Sequence, residues 1–226
     1  MSAPRGPAPR RRRGRPLRAR GRSRRNRLRA ARCEKRRKQL RHAAVRTGSA
    51  MRVIGLAGWS GAGKTTLIVK LIPYLIAQGL SVSTLKHAHH RFDLDQPGKD
   101  SFRHREAGAR EVLVASARRY ALLHENAEGE EPALSELLAK MAPVDLLLIE
   151  GWKRDGHAKI EVFRAANGKP ALHADDPTIR AVAADDPAAA GPLPFAHLDD
   201  VAGVAALALR FAEPVERALS ALGGRG

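Results

Sequence analysis

An apolar run, Val53-Ile54-Gly55-Leu56-Ala57, leads without a break into Gly58-Trp59-Ser60-Gly61-Ala62-Gly63-Lys64-Thr65 and then into Thr66-Leu67-Ile68-Val69-Lys70-Leu71-Ile72. The first run reads as a buried strand and the last as the opening of a helix over about Lys64 to Ala77. The join is a complete G-x-x-x-x-G-K-S/T loop, in the strand–loop–helix context that this pattern requires. Glycines allow backbone amides to turn inward and approach phosphate oxygens without a Cβ in the way. The start of the following helix adds a positive dipole end at the same spot. Gly58, Ser60, Gly61, Ala62, Gly63, Lys64, Thr65 and Thr66 are therefore the predicted contacts to a nucleoside triphosphate. Lys64 is expected to reach the β- and γ-phosphates, and the Thr65 hydroxyl to ligate Mg²⁺.

Beyond the loop the pattern alternates strand and helix. Gly79 suits the end of the first helix, and Ser81 to Lys86 is a short strand. His87 to Lys99 is polar and precedes a helix through Ala107, capped by Asp100 or Ser101. Glu111 to Ala115 and Tyr120 to Leu123 read as strands around a basic turn at Arg118-Arg119. Pro132 to Met141 is an amphipathic helix with proline near its first position. Val144 to Ile149 is continuously apolar, as expected of a parallel strand covered on both faces. Ile160 to Phe163 and Ala181 to Ala183 are later strands, and Val201 to Phe211 and Val215 to Leu222 are closing helices. The expected fold is an α/β, three-layer P-loop NTPase with a mostly parallel sheet, preceded by a disordered basic tail.

Ligands of such sheets bind beyond the carboxyl ends of the strands. That rule separates Asp145, at the start of its strand, from Glu150, at its end. Glu150 is the predicted Walker-B-like acid, holding a Mg²⁺-bound water or orienting the attacking one, and with Lys64 forms the predicted catalytic pair. Three further clusters follow strand ends. Lys86-His87-Ala88-His89-His90 could contact an anion, hold a metal, or be a solvated loop. Phe92 to Ser101, followed by Arg103, suits a switch-like loop sensing Mg²⁺ and γ-phosphate, or a polar loop before a capped helix. Glu150-Gly151-Trp152-Lys153 makes a tight exit with a cation aimed back at the site. Lys86, His87, Asp93, Lys99, Arg103 and Lys153 are thus candidate ligand contacts, and Thr65, Asp95 and Glu150 are candidate metal ligands.

Charge divides the chain in two. The first 50 residues hold 18 Arg, 2 Lys and one Glu, against a formal charge of +18 for the whole chain, so residues 51–226 are close to neutral. A segment so poor in aromatic and β-branched residues cannot bury enough apolar area to offset chain entropy. It could bind nucleic acid by counterion release or act as a transit peptide. The favoured expectation is that translation begins at Met51, making residues 51–226 the working domain and nucleic acid no partner. The one cysteine, Cys33, lies in this tail, so no disulfide framework or cysteine chemistry is expected of the domain. No apolar run approaches the roughly 20 residues needed to span a bilayer. A soluble cytoplasmic protein is expected.

Residues 51 to about 184 resemble the molybdopterin-guanine dinucleotide biosynthesis protein B (MobB) family. The resemblance lies in Gly58 to Thr66, in Lys86-His87-x-His89-His90-x-Phe92-Asp93 and in Pro97-Gly98-Lys99-Asp100-Ser101-x-Arg103-His104. It continues in Ala107-Gly108-Ala109 and in Glu150-Gly151-Trp152-Lys153. It implies binding of GTP and Mg²⁺, weak GTPase activity at most, and a homodimer. It also implies a supporting role beside the guanylyltransferase that joins GMP to molybdopterin, with molybdopterin or a molybdoenzyme as further partners. No N-K-x-D guanine-reading pattern occurs, since Asn167-Gly168-Lys169-Pro170 fails at its last position. A small-molecule kinase would share the loop, Mg²⁺ and Glu150. A metal-delivery GTPase would use His87, His89 and His90.

Overall fold

The computed structural model describes residues 50–88, 92–128 and 130–223. The basic tail, His89 and His90 lie outside these residues, and with them the expectations that rest on them.

The core strand β1 (Arg52–Ala57) delivers the chain to helix α1 (Lys64–Ala77) through the glycine loop. Helix α1 ends as expected. Gly79, at φ 88°, donates to the Ile76 carbonyl at 3.0 Å, and Leu80 donates back to Leu75 at 3.2 Å. This pair of bonds satisfies carbonyls that the helix end leaves unpaired, and the left-handed residue between them favours glycine. The chain then returns as β2 (Val82–Lys86).

Helix α2 (Asp100–Glu106) follows the polar segment. Its cap differs from expectation. Lys99 takes the capping position without a side-chain bond, Asp100 is already helical, and Ser101 Oγ donates instead to Asp95. β3 (Glu111–Ala115) and β4 (Tyr120–His124) form an antiparallel hairpin turning through Arg118 and Arg119, as a separate two-stranded sheet. Helix α3 (Leu134–Ala139) is shorter than its pattern suggested, with Ala133 as cap and Pro132 outside. Next come β5 (Leu146–Glu150), β6 (Lys159–Phe163), β7 (Ile179–Ala184) and β8 (Phe195–His197). Helix α4 (Val201–Phe211), the two-residue β9 (Glu213–Pro214) and helix α5 (Val215–Gly223) end the described chain.

The main sheet runs β2-β5-β1-β6-β7-β8, all neighbours parallel, and β9 pairs antiparallel with the start of β1. Side chains alternate across it. Ile54, Leu56, Leu146, Leu148 and Ile160 face α1 and α4, while Val53, Leu147 and Ile149 face α3 and α5. Both faces are covered, which is why β5 is fully buried and reads as an unbroken apolar run. The central strands end together on one edge, with β1 and its phosphate-type loop in the middle.

Candidate functional site

The loop after β1 is shaped by what glycine permits. At Gly58, φ is 151°, and a Cβ would lie 2.4 Å from the Val162 carbonyl oxygen of β6, so any side chain would pry the loop from the sheet. Helix α1 then starts at Lys64 with no acidic residue in its first turn, leaving its positive end uncompensated from within the helix. Lys64 curls back over the loop, its Nζ donating to the carbonyls of Gly58 and Trp59 at 3.0 Å each. Ser60, Gly61, Thr65 and Thr66 are exposed, and Ala62 is buried beneath them.

Thr65 Oγ1 donates to Glu150 Oε1 at 2.7 Å. Lys86 Nζ donates to the same carboxylate oxygen at 3.1 Å and to Thr65 Oγ1 at 3.2 Å. The β2–β5–β1 register explains the meeting: Lys86 pairs with Glu150, and Glu150 with Leu56, so all three strands end at one level. Glu150 is 8 % exposed. Lys153 stands with its Nζ 4.6 Å from the centre of the Trp59 ring, and Trp59 Nε1 donates to the Pro170 carbonyl at 2.8 Å. Burial, and then the charge of Lys153, push the Lys64 pKa below its ordinary value; Glu150 opposes this and Lys86 adds to it. One lysine thus sits on the carboxylate and two more lie within electrostatic reach of the loop, an arrangement that favours further negative charge.

A hydroxyl beside a carboxylate, both at the mouth of a glycine loop, is the oxygen-only donor set that Mg²⁺ prefers, with phosphate oxygens and waters completing it. Among the described residues no group of three or more His, Cys, Asp and Glu side chains is placed to hold a metal. The residues present therefore suit a metal carried with a phosphate ligand.

The exit from β5 is sharply bent. Gly151 has φ 105° and Trp152 has φ 45°, a left-handed conformation that few bulky residues adopt. The His87 amide donates to the Glu150 carbonyl at 2.8 Å, its ring lies 4.9 Å from that of Trp152, and its Nε2 pairs with Glu131. Lys64, Thr65, Lys86, His87, Glu150 and Lys153 are therefore brought together. The 92–105 cluster is organised separately. Arg105 holds Asp93 with two bonds of 2.9 and 3.1 Å and Glu125 with one of 2.7 Å. Asp95 accepts from Ser101 at 2.8 Å and lies 3.5 Å from Arg105. Among the described residues, Lys99 and Arg103 are exposed and bond to none of the loop side chains.

Residues 53–185 match the sequence profile of the family described as Molybdopterin guanine dinucleotide synthesis protein B. The chain belongs to this family. It is 45 % identical over 138 residues to the molybdopterin-guanine dinucleotide biosynthesis adapter protein of Escherichia coli (strain K12), covering 60 % of this chain and 79 % of that one. It is 40 % identical over 127 residues to the adapter protein of Haemophilus influenzae, covering 55 % and 70 % respectively. Among solved structures it is similar to that of Bacillus subtilis MobB, with a TM-score of 0.56 at 26 % identity over 72 % of this chain and 98 % of that one. The MobB-type P-loop fold expected from the sequence is thus found over the part of the chain that these structures cover.

Several site residues were not singled out from sequence. Asn167 Nδ2 donates to the Ser60 carbonyl at 3.2 Å, so the Asn167-Gly168-Lys169-Pro170 segment lies on the phosphate-type loop. Glu161, 1 % exposed, accepts from the Leu172 and His173 amides at 2.6 and 3.0 Å and from the His173 ring at 2.7 Å, fixing the segment that carries Asn167. Lys159, fully buried, donates to the Asp155 carbonyl at 2.5 Å and pairs with Asp176 at 3.3 Å. The readable signal was two charges inside a strand that the fold class places at the centre of a covered sheet.

Proposed function

We propose that this MobB-family chain binds Mg²⁺–GTP at the Gly58–Thr66 loop, hydrolyses it weakly, and acts as a cytoplasmic accessory protein in making the molybdopterin-guanine dinucleotide form of the molybdenum cofactor. Its partner in this reading is the guanylyltransferase, with molybdopterin or a molybdoenzyme as further contacts. The observation that carries the proposal is the meeting of Lys86 with Glu150 and Thr65 at the mouth of the loop, with Lys64 folded over the loop carbonyls within electrostatic reach of Glu150 and Lys153. In use, Lys64 leaves the two carbonyls it now bonds and turns to phosphate. Thr65 and Glu150 hold the Mg²⁺, which supplies charge neutralisation at the β- and γ-phosphates when bound. Asp95 is a third candidate ligand and must leave Ser101 to serve as one. The working domain is residues 51–226. A homodimer is supported by the β3–β4 hairpin, which presents Leu113, Val114, Tyr120 and Leu122 to solvent.

Calorimetry with Mg²⁺–GTP tests the reading. A lysine facing phosphate at about 4 Å contributes about 4 kcal/mol at an effective dielectric near 20, so Lys64→Ala should weaken binding roughly a thousandfold. Glu150→Gln keeps an acceptor for Thr65, so binding should persist while hydrolysis falls about a hundredfold. Wild-type binding in Lys64→Ala would refute the site.

A second reading, a small-molecule kinase, is favoured by one feature. A cavity of about 1020 Å³ beside the loop is lined by Trp59, His87, Trp152, Lys153 and Leu172 among others, enough for an acceptor. Turnover separates the two readings: a kinase runs at roughly 1–100 s⁻¹ with its substrate.

A further inference from the structure

The triphosphate site has a direction. Lys86 and Glu150, the residues suited to the metal and the γ-phosphate, stand on the β2–β5 side of the loop. A nucleotide whose γ end lies there must extend its nucleoside the other way, over the ends of β6 and β7. Gly61 and Ser60 already meet that side through Asn167, and the Arg164 guanidinium comes within 3.6 Å of where a Gly63 side chain would begin. Along the same edge, Ala57 pairs with Glu161 and Phe163 with Ala184. Asp185 therefore follows β7 two strands, about 10 Å, from the loop. Ala165 N–H donates to its Oδ1 at 3.2 Å, while among the described residues Oδ2 has Arg164 at 3.9 Å, beyond hydrogen-bond range. The side chain is 31 % exposed. One oxygen is anchored and the other is presented.

We propose that Asp185 is the base-reading residue, its carboxylate accepting the adjacent N1–H and N2–H of guanine and so selecting GTP over ATP. This rests on the Mg²⁺–GTP reading above and deepens it. Adenine offers an acceptor at N1 and a C–H at position 2, so it meets the same carboxylate with repulsion and no bond. The neighbouring Asp186 turns to the following segment, where its Oδ1 accepts from Ala188 N–H at 2.9 Å and caps the short helical turn Pro187–Ala190, whereas Asp185 is tied back to Ala165 on the loop side. The sequence carries no N-K-x-D pattern because the carboxylate comes directly from the strand end.

The test is calorimetry on the full chain with the Mg²⁺ complexes of GTP, ATP and xanthosine triphosphate, for the wild type and for Asp185→Asn, Asp185→Ala and Asp186→Asn. Charge-assisted hydrogen bonds of this kind discriminate by about ten- to a hundredfold, so wild type should prefer GTP over ATP by that factor. Asp185→Asn should lose the preference and gain xanthosine triphosphate by a similar factor, because the asparagine amide can donate to the xanthine C2 carbonyl. Asp185→Ala should bind all three alike. Asp186→Asn keeps an acceptor for Ala188 N–H and should leave both the GTP preference and the melting temperature nearly unchanged. An unchanged GTP-to-ATP ratio in both Asp185 variants overturns the assignment alone. A wild type that binds no triphosphate, or both purines equally, overturns the GTP reading and this assignment together, so the wild-type measurement tells the two failures apart.

Discussion

His157 makes acid sensitivity a property of the strand that supports the phosphate-type loop. It precedes β6, is fully buried, and neither ring nitrogen has a hydrogen-bond partner among the described residues. Room for the ring exists because Gly55 of β1 has no Cβ; one would lie 2.5 Å from His157 Nε2. Burial, and then the charge of Lys159, lower the imidazole pKa from 6.5 to about 3, with Asp176 opposing. The folded state therefore keeps His157 neutral where the unfolded chain takes up a proton. Between pH 6.5 and 3 the unfolded state binds more protons, so stability falls as pH falls through that window. From pH 7.5 to 5.0 the loss assignable to this residue is about 2 kcal/mol. His157→Leu removes both the proton site and two unsatisfied nitrogens. Urea unfolding of wild type and variant, followed by circular dichroism at pH 7.5 and 5.0, gives the difference of two differences, which cancels the carboxylates common to both. Wild type should lose about 2 kcal/mol more than the variant on acidification. Equal losses would refute the account of a buried neutral imidazole.

Two further outcomes are expected. Gly151→Ala should destabilise the fold by about 1–3 kcal/mol and weaken Mg²⁺–GTP binding, because φ is 105° and the new methyl would lie 2.5 Å from His87 Cβ, forcing β2 from β5 where Lys86 meets Glu150; thermal melting and calorimetry check both. Removing residues 1–50 should leave Mg²⁺–GTP affinity nearly unchanged while abolishing any salt-sensitive binding to nucleic acid; a large loss of nucleotide affinity would place the tail in the site.

Much of the site could be read because its physics is local. The strand, the glycine loop and α1 follow one another in sequence, and the strand-end rule separates Glu150 from Asp145. Asp145 sits where that rule puts a structural residue, accepting from the Ser81 amide at 2.8 Å and its hydroxyl at 2.6 Å to join the starts of β2 and β5. What stayed hidden depends on pairing across distance. Lys159 and Glu161 alternate with apolar residues as though on a solvent-facing strand, yet both are buried, because each finds partners 11 to 19 residues away. β8 and β9 are too short to carry a period. Ser101 looked like a helix cap until Asp95, six residues earlier, claimed its hydroxyl.

The two flanks of the loop are held by interactions of different strength. On the β6 side, Glu161 takes three hydrogen bonds in near-complete burial. Removing a partner from such a group costs about 1–3 kcal/mol or more, so the segment bearing Asn167 is fixed before any ligand arrives. On the other side, Asp93 and Glu125 are tied to Arg105 near the surface, where water screens and weakens each ion pair. Burial is therefore concentrated where the nucleoside would lie in the proposed reading, while in the 92–99 segment Asp93 is held by screened surface pairs and Asp95 is largely covered and bonded to Ser101. On the Mg²⁺–GTP reading, such a site would lose little binding energy to ordering its base-proximal wall, and movement toward the γ-phosphate would be easier for Asp93 than for Asp95, which must also leave Ser101.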